Sequence, residues 1–240
     1  MQEHHAAAAL IDTVSDAALS RNVNGVLQTL QRNRYGEQPP ARLIAVTKTV
    51  TPGVINRLSA FGIRDIGENR AQVVLPKLPE IDPQFHLHWI GRLQTNKVKD
   101  IIEKVWLLQS LDRPELAEEV ERRADQHGLV MPALVQVNIA EEPQKAGFAV
   151  GDVRPFLRRM ADFHCLRIRG LMAIMPLTED EAALTALFRG MRALFEQLRE
   201  EATPGVFMEE LSMGMSHDYA LAAKAGATMV RVGTALYRQE

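Results

Sequence analysis

The chain has 240 residues, 46% of them hydrophobic, with 28 basic and 30 acidic side chains and a formal net charge of −2. That length and apolar content suit one large α/β unit, and the balanced charge, with no long run of one sign, argues against a dedicated nucleic-acid binder. The single cysteine, Cys165, cannot form an internal disulfide, Glu3-His4-His5 and four alanines make a poor signal peptide, and no membrane-length apolar stretch occurs, so a cytoplasmic protein is expected.

A helix is predicted over residues 7–33. Eight short apolar strands follow, at 43–47, 62–66, 85–90, 105–109, 133–138, 167–172, 207–212 and 229–232. Helical patterns separate them at 54–61, 71–78, 95–102, 114–127, 153–163, 180–200 and 218–225. Asp112 is read as the cap of the helix at 114–127, which Gly128 ends. Thr178 with Glu181 has capping-box spacing, and Gly226 closes the last helix. Strict strand–helix alternation predicts a single-domain (β/α)8 TIM barrel over residues 41–240, with residues 1–40 forming an N-terminal helix packed on it; an open doubly wound sheet is the alternative. The strand C-terminal ends would then share one rim, where barrels of this kind place their ligands.

Lys48 ends the first strand, after the apolar run Leu43-Ile44-Ala45-Val46. Held against apolar surroundings, a lysine loses hydration and its pKa falls, which favours the free amine needed for a Schiff base; the alternative is a lysine that snorkels to solvent. Ser212-Met213-Gly214-Met215-Ser216 leaves strand seven and Arg231-Val232-Gly233-Thr234 leaves strand eight. Hydroxyls, glycines and a helix start on those two loops suit a phosphate, and each segment also reads as a cap or a tight turn. Arg231, inside an apolar strand, requires a partner: Glu209 or Glu210, or the ring nitrogen of a pyridine cofactor. A rim lysine, a phosphate cradle and such an arginine together describe pyridoxal 5′-phosphate (PLP).

The sequence resembles the YggS/PROSC family of PLP homeostasis proteins, whose barrel is similar to the N-terminal domain of alanine racemase. The resemblance is carried by Ala45-Val46-Thr47-Lys48, Ile66-Gly67-Glu68-Asn69, His88-Trp89-Ile90-Gly91-Arg92-Leu93-Gln94-Thr95-Asn96-Lys97 and Val137-Asn138-Ile139 with Lys145-Ala146-Gly147-Phe148. It continues through Arg169-Gly170-Leu171-Met172, Leu211-Ser212-Met213-Gly214-Met215-Ser216 and Met229-Val230-Arg231-Val232-Gly233-Thr234. These segments occur in order from about residue 42 to 237. The resemblance implies a fold type III PLP-binding barrel in which Lys48 carries PLP as a covalent aldimine and Arg231 faces the pyridine nitrogen. It implies that Ser212, Gly233 and Thr234 contact the phosphate, with Met213 and Gly214 nearby, and that Asn69 lines the cofactor's other side. Thr47 stands where serine is frequent, and the chain ends at Tyr237-Arg238-Gln239-Glu240 where many relatives continue with a glycine-containing tail.

No metal site is expected. His86 and His88 have strand spacing but no evident third ligand, and His88 reads as a hydrogen-bonded structural residue. Lys97 and Lys145 are read as solvated lysines within reach of an anion. The expected role is PLP buffering or delivery, with apo PLP-dependent enzymes as partners; an amino-acid racemase is the alternative. Racemases of this type add an opposing tyrosine from a second domain, and Tyr35, Tyr219 and Tyr237 offer no obvious equivalent. With no such domain after residue 240, a monomer is expected.

Overall fold

In the computed structural model, which describes residues 10–239, eight strands pair in parallel and in sequence order to close a barrel. They are β1 Arg42–Val46, β2 Asp65–Glu68, β3 His86–Trp89, β4 Leu107–Leu111, β5 Met131–Val137, β6 Leu166–Ala173, β7 Val206–Ser212 and β8 Met229–Val232. Closure pairs β8 with β1, placing Ile44 opposite Arg231, and removes the open-sheet alternative. The surrounding helices are α1 Asp16–Arg32, α2 Pro52–Arg57, α3 Ala71–Val74, α4 Val98–Ile101, α5 Pro114–Gln126, α6 Val150–Arg158, α7 Glu181–Glu200 and α8 Tyr219–Lys224.

Burial explains why these segments settle as they do. The strands are covered outside by helices, so β1, β5 and much of β6 read as largely apolar runs, while polar residues on β2, β3, β4 and β8 are buried inside the barrel or at its ends. A large outer core fills the space between strands and helices. A small inner core of Ile44, Leu107, Leu134, Met172 and Met229 lies apart from it. The inner layer is completed by buried polar side chains, among them His88, Gln109, Ser212 and Arg231. Long helices have the apolar stripe needed for packing: α1 buries Leu19, Val23, Val26 and Leu30, and α7 buries Leu184, Phe188, Met191, Phe195 and Leu198.

Several boundaries differ from those read in the sequence. Residues 7–9 of the expected first helix lie outside the described residues. Leu10–Val14 is extended or irregular, because Ile11 bridges to Val50 and Ser15 caps α1 by accepting from the Ala18 N–H at 3.1 Å. The second strand lies three residues later than expected, after the turn at Gly62. The patterns at 54–61, 71–78 and 95–102 break into single α-turns and 3-10 turns, and the pattern at 153–163 becomes α6 plus a 3-10 turn at Arg159–Asp162. Arg113, not Asp112, is the N-cap of α5, since the Asp112 carboxylate is taken by ion pairs to Arg92 and Arg113. Asp180, not Thr178, caps α7 by accepting from Ala183 N at 2.9 Å, and Thr178 accepts from Asp180 N. Gly128 and Gly226 end α5 and α8 as read. Among the described residues no helix is long and apolar enough to cross a membrane.

Candidate functional site

The ends of β1, β2, β5 and β8 and the loops that follow them enclose a cavity of about 600 Å³ at the C-terminal mouth of the barrel. Lys48, Asn69, Asn138, Arg231, Gly233 and Thr234 line it, beside apolar Val46 and Ile174. Of the residues singled out in the sequence, the fold therefore brings Lys48, Asn69, Arg231, Gly233 and Thr234 together. Ser212, Met213 and Gly214 lie in the wall behind. Ser212 and Met213 are fully buried, and a side chain on Gly214 (φ 92°) would meet the Ala222 Cβ at 2.4 Å, so the glycine there lets α8 pack on the loop. Ser216 lines the cavity in their place, and its Oγ accepts from the Gly233 N–H at 3.1 Å. The helix behind that loop, α8, spans six residues. What this rim offers an anion is therefore local N–H and hydroxyl groups, not an extended helix dipole.

Arg231 is buried at 3% exposure. Its two terminal nitrogens donate to Ser212 Oγ (2.6 Å) and the Ala173 carbonyl (2.8 Å). The carboxylates considered for it in the sequence are engaged elsewhere: Glu209 pairs with Arg169, and Glu210 with Arg42 and the Thr228 hydroxyl, near the opposite end of the strands. Burial lowers the Arg231 pKa to about 10, with the more distant Asp218 opposing, so the group stays charged at neutral pH. A buried cation with neutral partners, facing a cavity, is suited to an electron-rich ligand atom.

Arg231 heads a chain of hydrogen bonds through the barrel interior. Ser212 donates to Gln109 Oε1 (2.7 Å), Gln109 Nε2 contacts His88 Nδ1 (2.9 Å), and His88 Nε2 contacts Asp65 Oδ1 (2.8 Å). Because an amide nitrogen only donates, His88 Nδ1 accepts and Nε2–H donates to Asp65, which makes the imidazole neutral. Burial agrees: it pushes the His88 pKa below the ordinary imidazole value, against the pull of Asp65. Burial works against the Asp65 charge too, but His88, Arg42 and His86 hold its carboxyl below the usual range. His88 is thus structural, as read from the sequence, and His86 reaches the same carboxylate at 3.4 Å while stacking on Trp106.

Lys48 is exposed, so the apolar enclosure expected for it is absent. The buried groups lie beneath the peptide that carries it. Lys77 Nζ donates to the Thr47 carbonyl (3.0 Å) and to Glu68 Oε1 (3.1 Å), and Thr47 Oγ1 donates to the same oxygen (2.8 Å). Glu68 Oε2 and the Tyr237 hydroxyl are buried without partners among the described residues. Burial raises the Glu68 pKa, with Lys77, Thr47 and Lys48 pulling it back; burial, helped by Glu68, also raises that of Tyr237. Close approach holds Asn69 at the rim: a Cβ on Gly91 would lie 2.4 Å from the Asn69 Cβ. Sequence reading missed Lys77, Gln109 and Tyr237 as neighbours of the site. Lys77 gave one signal, its place three residues after Val74 on the buried side of the 71–78 pattern.

The profile of the alanine racemase N-terminal domain matches residues 14–240. The chain belongs to that family. Within it the chain belongs with the pyridoxal phosphate homeostasis proteins: it is 38% identical to the protein of that name from Aquifex aeolicus, over 91% of this chain and 95% of the relative. PipY from Synechococcus elongatus PCC7942, in a structure with PLP bound, superposes with a TM-score of 0.80 at 33% identity, covering 92% of this chain and all of PipY. Alanine racemase from Clostridium difficile shares the fold at 14% identity and a TM-score of 0.69, with 95% of this chain matching 57% of the racemase.

Proposed function

We propose that this protein binds PLP in the cavity at the barrel mouth and holds it for the cell's PLP balance, releasing it to apo PLP-dependent enzymes. The observation that carries the reading is Arg231, a buried cation on the cavity wall with no carboxylate partner among the described residues. When bound, PLP supplies an aldehyde that reacts reversibly with primary amines. Lys48 offers the amine at the rim and carries the cofactor covalently. Ser216, Gly233 and Thr234 receive the phosphate through hydroxyl and backbone N–H groups, with Ser212 holding Arg231 from behind and Asn69 bounding the opposite side. Arg231 donates to the ring nitrogen and, by keeping its own proton, leaves that nitrogen unprotonated, which weakens the ring as an electron sink.

Buffering is favoured over racemisation by the tyrosines. Tyr237 is buried and outside the cavity lining, Tyr219 does not line it, and Tyr35 lies under Arg192 elsewhere on the surface. Two-base proton transfer of the racemase kind lacks an opposing tyrosine on the cavity wall among the described residues. The test is a visible spectrum of the purified protein with PLP, before and after adding an apo PLP-dependent enzyme. Wild type should show the absorption of lysine-bound PLP and lose it to the acceptor, and Lys48→Ala should lack it. An unchanged band in Lys48→Ala would move the attachment to another lysine, with Lys145 on the same cavity wall. Turnover of an amino acid at roughly 1 per second or faster would replace the buffering role with an enzymatic one.

A further inference from the structure

A second cavity, of about 710 Å³, opens beside the first and shares Asn69 and Arg92 with it. Of the segment from Ile90 to Lys97, only Ile90, Gly91 and Arg92 reach the first cavity; from Arg92 onward the chain lines the second. Arg70, Arg92, Lys97 and Arg113 line this groove and no carboxylate does, although the whole chain has two more acidic than basic residues (30 against 28). Two carboxylates stand behind the cations. Asp112 is buried and pairs with Arg92 at 3.4 Å and with Arg113, and Asp100 pairs with Lys97 at 3.4 Å. They leave a surplus of positive charge, and the Arg70 guanidinium has no partner among the described residues. Arg92 keeps 72% of its side chain exposed despite its pair, so its fork remains available. Arg113 is fixed at the groove wall by donating to the Leu93 carbonyl at 2.9 Å.

We propose that this groove is a second anion site, which takes the phosphate of a small phosphomonoester and lies on that ligand's path into the first cavity. Guanidinium forks match phosphate oxygens in geometry as well as charge, and several of them around one concavity are worth more than isolated surface cations. The shared Asn69 and Arg92 favour a small molecule over a protein segment, since they set the two cavities side by side at the barrel mouth. A volume of this order is that of a small-ligand site. The path rests on the PLP reading; the anion site does not.

The test loads the full chain with PLP, removes the excess, and titrates it at low ionic strength with inorganic phosphate and with pyridoxine 5′-phosphate, which lacks the aldehyde. Phosphorus NMR and calorimetry read the binding. The loaded wild type should retain one saturable phosphate site. The double variant Arg70→Ala/Lys97→Ala should weaken it about tenfold, an effect of roughly 1.4 kcal/mol, while the visible band of lysine-bound PLP is unchanged. PLP loading, followed by stopped-flow absorbance, should also slow in that variant. Absence of saturable phosphate binding, equal binding by variant and wild type, or binding of a hexaglutamate peptide with neither phosphate compound would overturn the anion site. Equal loading rates would overturn the path. If wild type never shows the visible band, the component of phosphate binding lost in the double variant is read on the unloaded chain, so the two readings fail separately.

Discussion

Two buried polar systems support the cavity, and they differ in how completely they are satisfied. Beneath Arg231, each member of the chain Ser212–Gln109–His88–Asp65 has a partner, the donors point one way, and the line runs from a cation to an anion. Such an arrangement is mutually reinforcing and rigid. Beneath Lys48, the Glu68–Lys77 pair is just as buried, yet Glu68 Oε2 and the Tyr237 hydroxyl have no partner among the described residues. Arg231, proposed to orient the ring, is held by a finished network. Lys48, the amine proposed to carry the covalent link, stands over an unfinished one, where the balance of charge is still open to change.

The sharpest way to break the contrast is Lys77→Met. It strands the Glu68 carboxylate in the interior, and loss of one partner of a buried ion pair costs about 3–5 kcal/mol. Chemical denaturation at pH 8 should show that loss, and Glu68→Gln/Lys77→Met should recover most of it. A loss below about 1 kcal/mol would mean that the pair is solvated in practice. His88→Leu should cost less, about 1–3 kcal/mol, since it leaves the Gln109 amide without its imidazole partner and Asp65 Oδ1 with only the longer 3.4 Å contact to His86.

The pH dependence separates the two systems by sign. His88 has a folded-state pKa below 6.5, so its contribution is present above about pH 6.5 and is lost as pH falls through the folded value. Glu68 has a folded-state pKa above 4.5, so its contribution is complete below about pH 4.5 and is lost as pH rises through the folded value. Between those limits the slopes oppose. Denaturation midpoints taken from pH 7 to 5 should fall more steeply in Glu68→Gln than in wild type, and less steeply in His88→Leu. Parallel profiles would remove the distinction. The smallest effect is expected from Ser212→Ala, which frees one Arg231 N–H: PLP should be held about two- to tenfold more weakly in equilibrium ultrafiltration, with the lysine-bound band still present.

The strands were legible because each keeps a short group of buried apolar residues bounded by turn signals, even where polar residues interrupt it; Met229–Val232, bounded by Thr228 and Gly233, was read to the residue. The short helices were not, since α3 and α4 are single turns and one turn has no periodicity to detect. Lys48 and Arg231 stood out as charges on apolar strands, the kind of anomaly composition exposes. Their supports did not. Gln109 meets His88 and Ser212 through the curvature of a closed barrel, and Lys77 meets Thr47 from outside any strand, so neither contact has a sequence spacing that announces it.

Barrel closure has a consequence for how the protein is made. Lys48 follows the first strand and Arg231 sits in the last, and Asn22 of α1 clasps the carbonyls of Leu236 and Arg238 at 3.1 and 2.8 Å. On the ribosome, the lysine emerges long before the arginine that shares its cavity. A ligand bound by both, as proposed for PLP, would therefore stabilise the finished molecule and not the early collapse of the growing chain.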